Sequence, residues 1–178
     1  MKGRSPVQIR SGPQRLKKGG FIIKTIEVSE ALGGVLNGFR KISKDSKKIT
    51  FIGTPGFCTP FAELIAFVIR DSGIEMAFVP NISVDKARTI ISTSQGMQLG
   101  ESTDPSCDTV VLLGGLAMPK MKMDVNKMKK VIEDITTTDK PLIIGVCFMN
   151  IFKESGWIDT IDFDYVIDSY IKNTTLEK

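Results

Sequence analysis

Four short runs of this chain are apolar at nearly every position: Lys48–Gly53, Ile74–Pro80, Thr109–Leu113 and Leu142–Cys147. A strand with one wet face alternates apolar and polar residues, whereas a run that is apolar throughout must be covered on both faces. Helical patterns separate most of these runs. Phe61–Ile69 is apolar almost all round, and Val125, Met128, Val131, Ile132 and Ile135 repeat at helical spacing. A fifth run, Phe163–Ile167, sits among Asp162, Asp164 and Asp168, as an edge strand does. The expectation is an α/β fold, a three-layer Rossmann-like or flavodoxin-like arrangement. Its mostly parallel sheet has about five strands, with helices on both faces. Right-handed crossovers favour the order 2-1-3-4-5, which puts the reversal of strand order between the first and third runs.

Local signals fill in the connections. Phe21–Ile26 reads as an extended arm or extra strand. Val28–Ile42 reads as a helix in which Gly33, Gly34 and Gly38 would let a dimer partner or the sheet approach closely. Thr59 is the expected N-cap of the second helix, with Pro60 at its first position, Glu63 in its first turn and Gly73 as its left-handed stop. Ser83–Ile91 reads as a further helix, followed by a polar stretch, Ser94–Cys107, with room for a short strand around Met97–Leu99. Asp124 is the expected cap of the helix after the third strand.

Composition narrows the function classes. The net charge of +4 suggests an anionic partner, but residues 1–20 hold six basic residues and no acid. Without them 18 basic residues face 20 acidic ones, a net of −2. A nucleic-acid reading therefore rests on residues 1–20 alone. Those residues read as an extension outside the single α/β domain of residues 21–178, disordered or not native. Val7–Arg10 back-translates to a sequence like a transfer-RNA T-loop, and Lys18–Gly20 to one like a ribosome-binding site, so the frame is expected to start near Phe21. With no histidine, Ser-His-Asp and Cys-His catalysis and His-ligated metals are excluded, and no metal site is expected. Three cysteines without a C-x-x-C pair indicate free thiols and a cytoplasmic setting. No apolar run reaches the roughly 18 residues of a membrane span, so no membrane partner is expected.

Two segments carry a family resemblance. Phe51-Ile-Gly-Thr-Pro-Gly-Phe-Cys-Thr-Pro-Phe-Ala-Glu-Leu64 and Val111-Leu-Leu-Gly-Gly-Leu-Ala-Met-Pro119 together resemble a family of small proteins of methanogenic archaea, domain of unknown function 2124. The resemblance spans roughly Val28 to Ile171. It implies an α/β fold and a cytoplasmic origin, and it transfers no activity or cofactor.

The best candidate site is the loop Gly53–Thr59, where small residues join a strand to a buried helix and present backbone N–H groups to an anion. It lacks the Gly-Lys-Ser/Thr of a Walker loop and the G-x-G-x-x-G of a dinucleotide fold. Gly53, Thr54, Gly56, Cys58, Thr59, Asn81, Gly114, Gly115 and Asn150 are the expected ligand-binding residues at the carboxyl edge. The ligand class is small and anionic or nucleotide-like. A tight structural turn is the competing reading of the same loop. A second function class is a regulatory or oligomeric interaction protein, such as a homodimer, using the Gly33-Gly34-Gly38 helix and the Met118–Met123 stretch. The third is a thiol-dependent enzyme on Cys58, whose pKa a helix N-terminus would lower, with Glu63 nearby. Cys147 ends the fourth strand near the same edge, and Cys107 belongs to the opposite one.

Overall fold

A computed structural model of the protein describes residues 24–177. The expectations for residues 1–20 and for Phe21–Ile23 lie outside the described residues; Lys24–Glu30 form no regular element and are exposed. The elements run α1 (Ala31–Ile42), β1 (Lys48–Gly53), α2 (Thr59–Phe67), β2 (Glu75–Pro80), β3 (Arg88–Thr93), β4 (Gly96–Ser102), β5 (Thr109–Leu113), α3 (Val125–Ile135), β6 (Leu142–Phe148), α4 (Ile151–Glu154) and β7 (Tyr165–Ser169).

They build a seven-stranded sheet of order β4-β3-β2-β1-β5-β6-β7. β2, β1, β5, β6 and β7 are parallel neighbours and reproduce the expected order 2-1-3-4-5. The expected count of about five strands is corrected to seven, because β3 and β4 form an antiparallel hairpin on the outer side of β2. The hairpin replaces the helix expected over Ser83–Ile91, which shrinks to one short 3₁₀ turn, Val84–Lys86. Thr89, Ile90, Ile91 and Thr93 are β-branched and suit a pleated surface better than a helix. The turn that closes the hairpin uses Gly96 at φ +112, a conformation open to glycine. Half of the expected polar loop is thereby taken up as β4.

The apolar runs are buried as their composition requires. On one face, Ile49 and Phe51 of β1 pack with Val35 and Phe39 of α1 and with Ala62, Ile65 and Ala66 of α2. On the other, Ile52 and Leu112 pack with Met128, Ile132 and Ile135 of α3 and with Phe152 and Trp157. Met128, Ile132 and Ile135 follow one another at four and three residues, so one stripe of α3 meets the sheet. Asp124 starts that helix as expected, accepting the N–H of Asn126 at 2.9 Å and of Lys127 at 3.4 Å. The buried polar residue of β1, Thr50, donates its hydroxyl to the Pro105 carbonyl at 2.7 Å.

The glycines of α1 do not bring the sheet close. A Cβ on Gly33 would meet open space, and one on Gly38 only the Ile167 side chain of β7, at 4.0 Å; one on Gly34 would collide with Ser29, in the irregular segment before the helix. Gly73 has the expected left-handed conformation, φ +78, but α2 stops earlier, at Phe67, and irregular turns lead on to it.

Candidate functional site

The parallel strands end together, and the loops after β1, β2, β5 and β6 share one edge of the sheet. Gly53 closes β1. A Cβ there would lie 2.5 Å from Cys58 Cβ, so only glycine lets the loop fold back on the strand. The loop turns through Gly56 at φ +74, and the Cys58 N–H returns to the Thr54 carbonyl at 2.8 Å. Thr59 is not the N-cap. It lies in the first turn of α2, and its hydroxyl accepts the Gly56 N–H at 3.3 Å, tightening the loop. The residue before the helix is Cys58, with helical φ and ψ and no side-chain cap.

Gly114 and Gly115, expected as the turn after β5, form a buried 3₁₀ turn with Leu116 and Ala117. A Cβ on Gly115 would collide with Cys58 Sγ and Phe57, and one on Gly114 would lie 2.6 Å from Cys147 Cβ and 2.9 Å from Ile151. The two glycines thus separate two buried thiols, and the switch point between β1 and β5 is tightly packed. From above, Phe61 of α2 meets Phe148 of β6, ring centroids 5.1 Å apart.

This packing corrects the expectation for Cys58. A helix N-terminus would favour the thiolate, yet Cys58 is 2% exposed and burial pushes its pKa up. The amides of Thr54 and Gly115 and the Thr54 hydroxyl work the other way and do not prevail. Enclosure and the raised pKa both disfavour the thiolate that a nucleophilic role needs. Glu63, the other catalytic candidate, sits one turn into α2, and its side chain makes no ion pair among the described residues. Cys107 is buried at the amino end of β5, as expected, with its N–H on the Ile135 carbonyl at 2.9 Å.

Polar groups gather on the other side of β1. The Asn81 N–H donates to the Gly53 carbonyl at 2.9 Å and ties the loop after β2 to the end of β1. Asn81 adopts a left-handed conformation, φ +57. Its Oδ1 and the Thr54 hydroxyl oxygen are both enclosed and both lack a hydrogen-bond partner. The Thr54 hydroxyl lies beside the Cys58 thiol without reaching hydrogen-bond geometry. Unpaired polar atoms in an enclosed place are costly, by about 1–3 kcal/mol each, and call for an explanation. Asn150 does not join this group. It lies beyond β5, at φ +59, with its N–H on Asp168 Oδ1 at 3.0 Å.

That last contact belongs to a group the sequence reading missed. Cys147 is opposite Asp168 in the register of β6 and β7 and donates its thiol proton to the carboxylate at 3.3 Å. Burial, then the Asp168 charge and hydrogen bond, push the Cys147 pKa from an ordinary 9.0 up to about 12. Asp164 likewise takes the Ile143 N–H at 2.8 Å. In the sequence Asp162, Asp164 and Asp168 mark only an edge strand. Two of them are anchors for the neighbouring strand and loop, and only the pairing register brings this out.

The family model of "uncharacterized protein conserved in archaea (DUF2124)" matches residues 30–172. The chain belongs to this family. Two DUF2124 relatives come from methanogens. An uncharacterized protein of Methanothermobacter thermautotrophicus is 41% identical over 141 residues, 79% of this chain and 90% of its own length. One of Methanocaldococcus jannaschii is 39% identical over 153 residues, 84% of this chain and 92% of its own. The crystal structure of a protein of unknown function from Methanothermobacter thermautotrophicus superposes with TM-score 0.83 at 36% identity, covering 88% of this chain and 99% of that one. This DUF2124 chain therefore has an α/β fold with a mostly parallel sheet. Among the described residues no helix is long and apolar enough to cross a membrane.

Two predictions concern the packed thiols. Gly115→Ala destabilises the protein by about 1–3 kcal/mol, as overpacking does. Combined with Cys58→Ala, which removes the colliding sulfur, it costs less than the sum of the single changes. Urea unfolding of the four proteins reads this coupling; strict additivity would refute the contact. The second is a pH effect. The folded-state pKa of Cys147 is raised, so its contribution is fully present below the unfolded pKa and is lost as pH rises from 9.0 through about 12. The stability gap between wild type and Cys147→Ala should therefore shrink over that window. A constant gap would show a thiol that titrates normally.

Proposed function

We propose that this protein binds a small anionic or nucleotide-like ligand in the cytoplasm, at the carboxyl edge of a Rossmann-like sheet, between the loops after β1 and β2. The observation that carries the reading is the pair of enclosed, unpartnered polar atoms, Thr54 Oγ1 and Asn81 Oδ1, at adjacent strand ends. A hydroxyl and a side-chain amide supply donors and acceptors of the kind a phosphate, ribose or base edge uses. The N-terminus of α2 adds a partial positive charge. Gly53–Thr59 and Asn81 contain no Lys or Arg, so recognition relies on dipoles and shape. Gly114 and Gly115 enter as the packed floor beside the site, and Asn150 as a residue of the neighbouring loop.

Catalysis is not part of the proposal. The thiol reading loses its ground in the raised pKa of Cys58. Association through α1 and the segment before it is a second reading, favoured by Leu32 and Val28, which are 46% and 86% exposed. That face would take a second copy of the chain.

Thermal-shift titrations with inorganic phosphate, AMP and NAD test the main reading. At least one probe should raise the melting temperature of the wild type saturably. Thr54→Val should leave the free protein as stable or more so, because it removes an unpartnered hydroxyl, and should lose the shift. Asn81→Gly keeps the left-handed backbone accessible and should lose it too. Flat titrations with all three probes, or variants that respond like the wild type, would overturn it.

A further inference from the structure

The flank of α1 that faces away from α2 lies beside the outer edge of the sheet. Arg40 marks the opposite flank, where its Nε donates to the Val68 carbonyl at the end of α2, at 3.0 Å. Gly34, Gly38 and Lys41 follow one another at four and three residues and form one outer stripe. A Cβ on Gly34 would meet Ser29, one on Gly38 would face Ile167 of β7, and Lys41 Nζ bonds the Glu27 carboxylate at 2.9 Å. The segment before α1 therefore runs back along this stripe, next to β7. Its residues 25–28 alternate polar and apolar as a strand does, yet Ile26 and Val28 are exposed. Tyr165, Tyr170 and Ile171, in β7 and just after it, are exposed as well.

β7 is also an open edge, paired only with β6. The Ser169 carbonyl accepts the Met149 N–H at 2.9 Å. Ser169, Ile167 and Tyr165 thus turn their main-chain groups toward β6, and Val166 and Asp168 turn theirs outward. Among the described residues nothing bonds those outward groups. Sheet edges are usually guarded by charge, proline or a bulge. β4, at the far edge, has an irregular register opposite Arg88–Ile90. At β7 the acids that would guard the edge are turned inward, Asp164 to the Ile143 N–H and Asp168 to the Asn150 N–H and the Cys147 thiol.

We propose that this edge is the interface of a two-fold homodimer, in which β7 pairs antiparallel with β7 of a second copy and the sheet continues through both. The inference rests on the second reading above, association through α1, and gives it a surface and a register. The edge is complementary to itself. With Ile167 on the axis, Val166 and Asp168 meet Asp168 and Val166 of the second copy and exchange their outward main-chain bonds. Ile167 meets Ile167 on the α1 face of the sheet, in the kind of pair that brings side chains closest. Continued past the strand ends, this register sets Asp162 against Lys172 of the second copy, twice by symmetry. Both are exposed, and neither forms an ion pair among the described residues. Moving the axis to Val166 would set Asp164 against Asp168, and moving it to Asp168 would set that residue against itself, so like charges oppose both alternatives. The two segments before α1 face each other over the axis and give Ile26 and Val28 apolar neighbours.

Sedimentation equilibrium of the full chain over a dilution series tests the interface. The wild type should sediment at twice the chain mass. Val166→Pro removes an outward N–H and leaves the bonds to β6 in place; it should keep its circular dichroism and sediment as a monomer. The exposed charges give a second test that does not touch the core. Asp162→Lys and Lys172→Asp should each raise the dimer dissociation constant about tenfold, and the double variant should restore it. A monomeric wild type would overturn both this interface and the second reading. A dimer that Val166→Pro and the single charge reversals leave unweakened would overturn this interface alone, with association through another face. A double variant weaker than either single one would overturn the register.

Discussion

Burial of both faces of β1, β5 and β6 is the constraint on which the rest of this fold depends. Each strand sends alternate side chains into two separate apolar clusters, so neither face tolerates water. Helices must then lie on both sides, and parallel neighbours joined by crossovers are the economical way to put them there. The same requirement makes the strand ends coincide. It brings the loops after β1, β2, β5 and β6 to one edge and leaves them as the place where polar groups collect.

At that edge the chain does two different things with small residues. Between β1 and β5 it packs them. Gly53, Gly114 and Gly115 are glycines because Cys58 and Cys147 occupy the space a side chain would need. Between β1 and β2 it leaves polar atoms enclosed and unpaired, a state that costs stability. The contrast explains why the thiols read as structural and the Thr54–Asn81 pair as the better ligand site, although both came from the same glycine-rich signature.

The core strands, their order, the cap at Asp124 and the candidate loops were legible in the sequence, since continuous apolar runs and capping residues act locally. The β3–β4 hairpin was not. Val84, Ala87, Ile90 and Ile91 match a helical period, and the β-branching of Thr89, Ile90, Ile91 and Thr93 decided the outcome only with β2 available as a pairing edge. The pKa of Cys58 was misjudged because a helix end is visible in a sequence and an enclosing neighbour, here Gly115 with Phe57, is not. The anchoring role of Asp168 is hidden for the same reason. Its partners Cys147 and Asn150 are 21 and 18 residues away, and only the β6–β7 register joins them.

The claim that Thr54 and Asn81 wait for a ligand is tested most directly by nuclear magnetic resonance. The Asn81 side-chain amide and the backbone amides of residues 54–58 would be followed while AMP is added. The account predicts saturable shifts concentrated on those groups. Shifts that are absent, or centred elsewhere on the molecule, would contradict it.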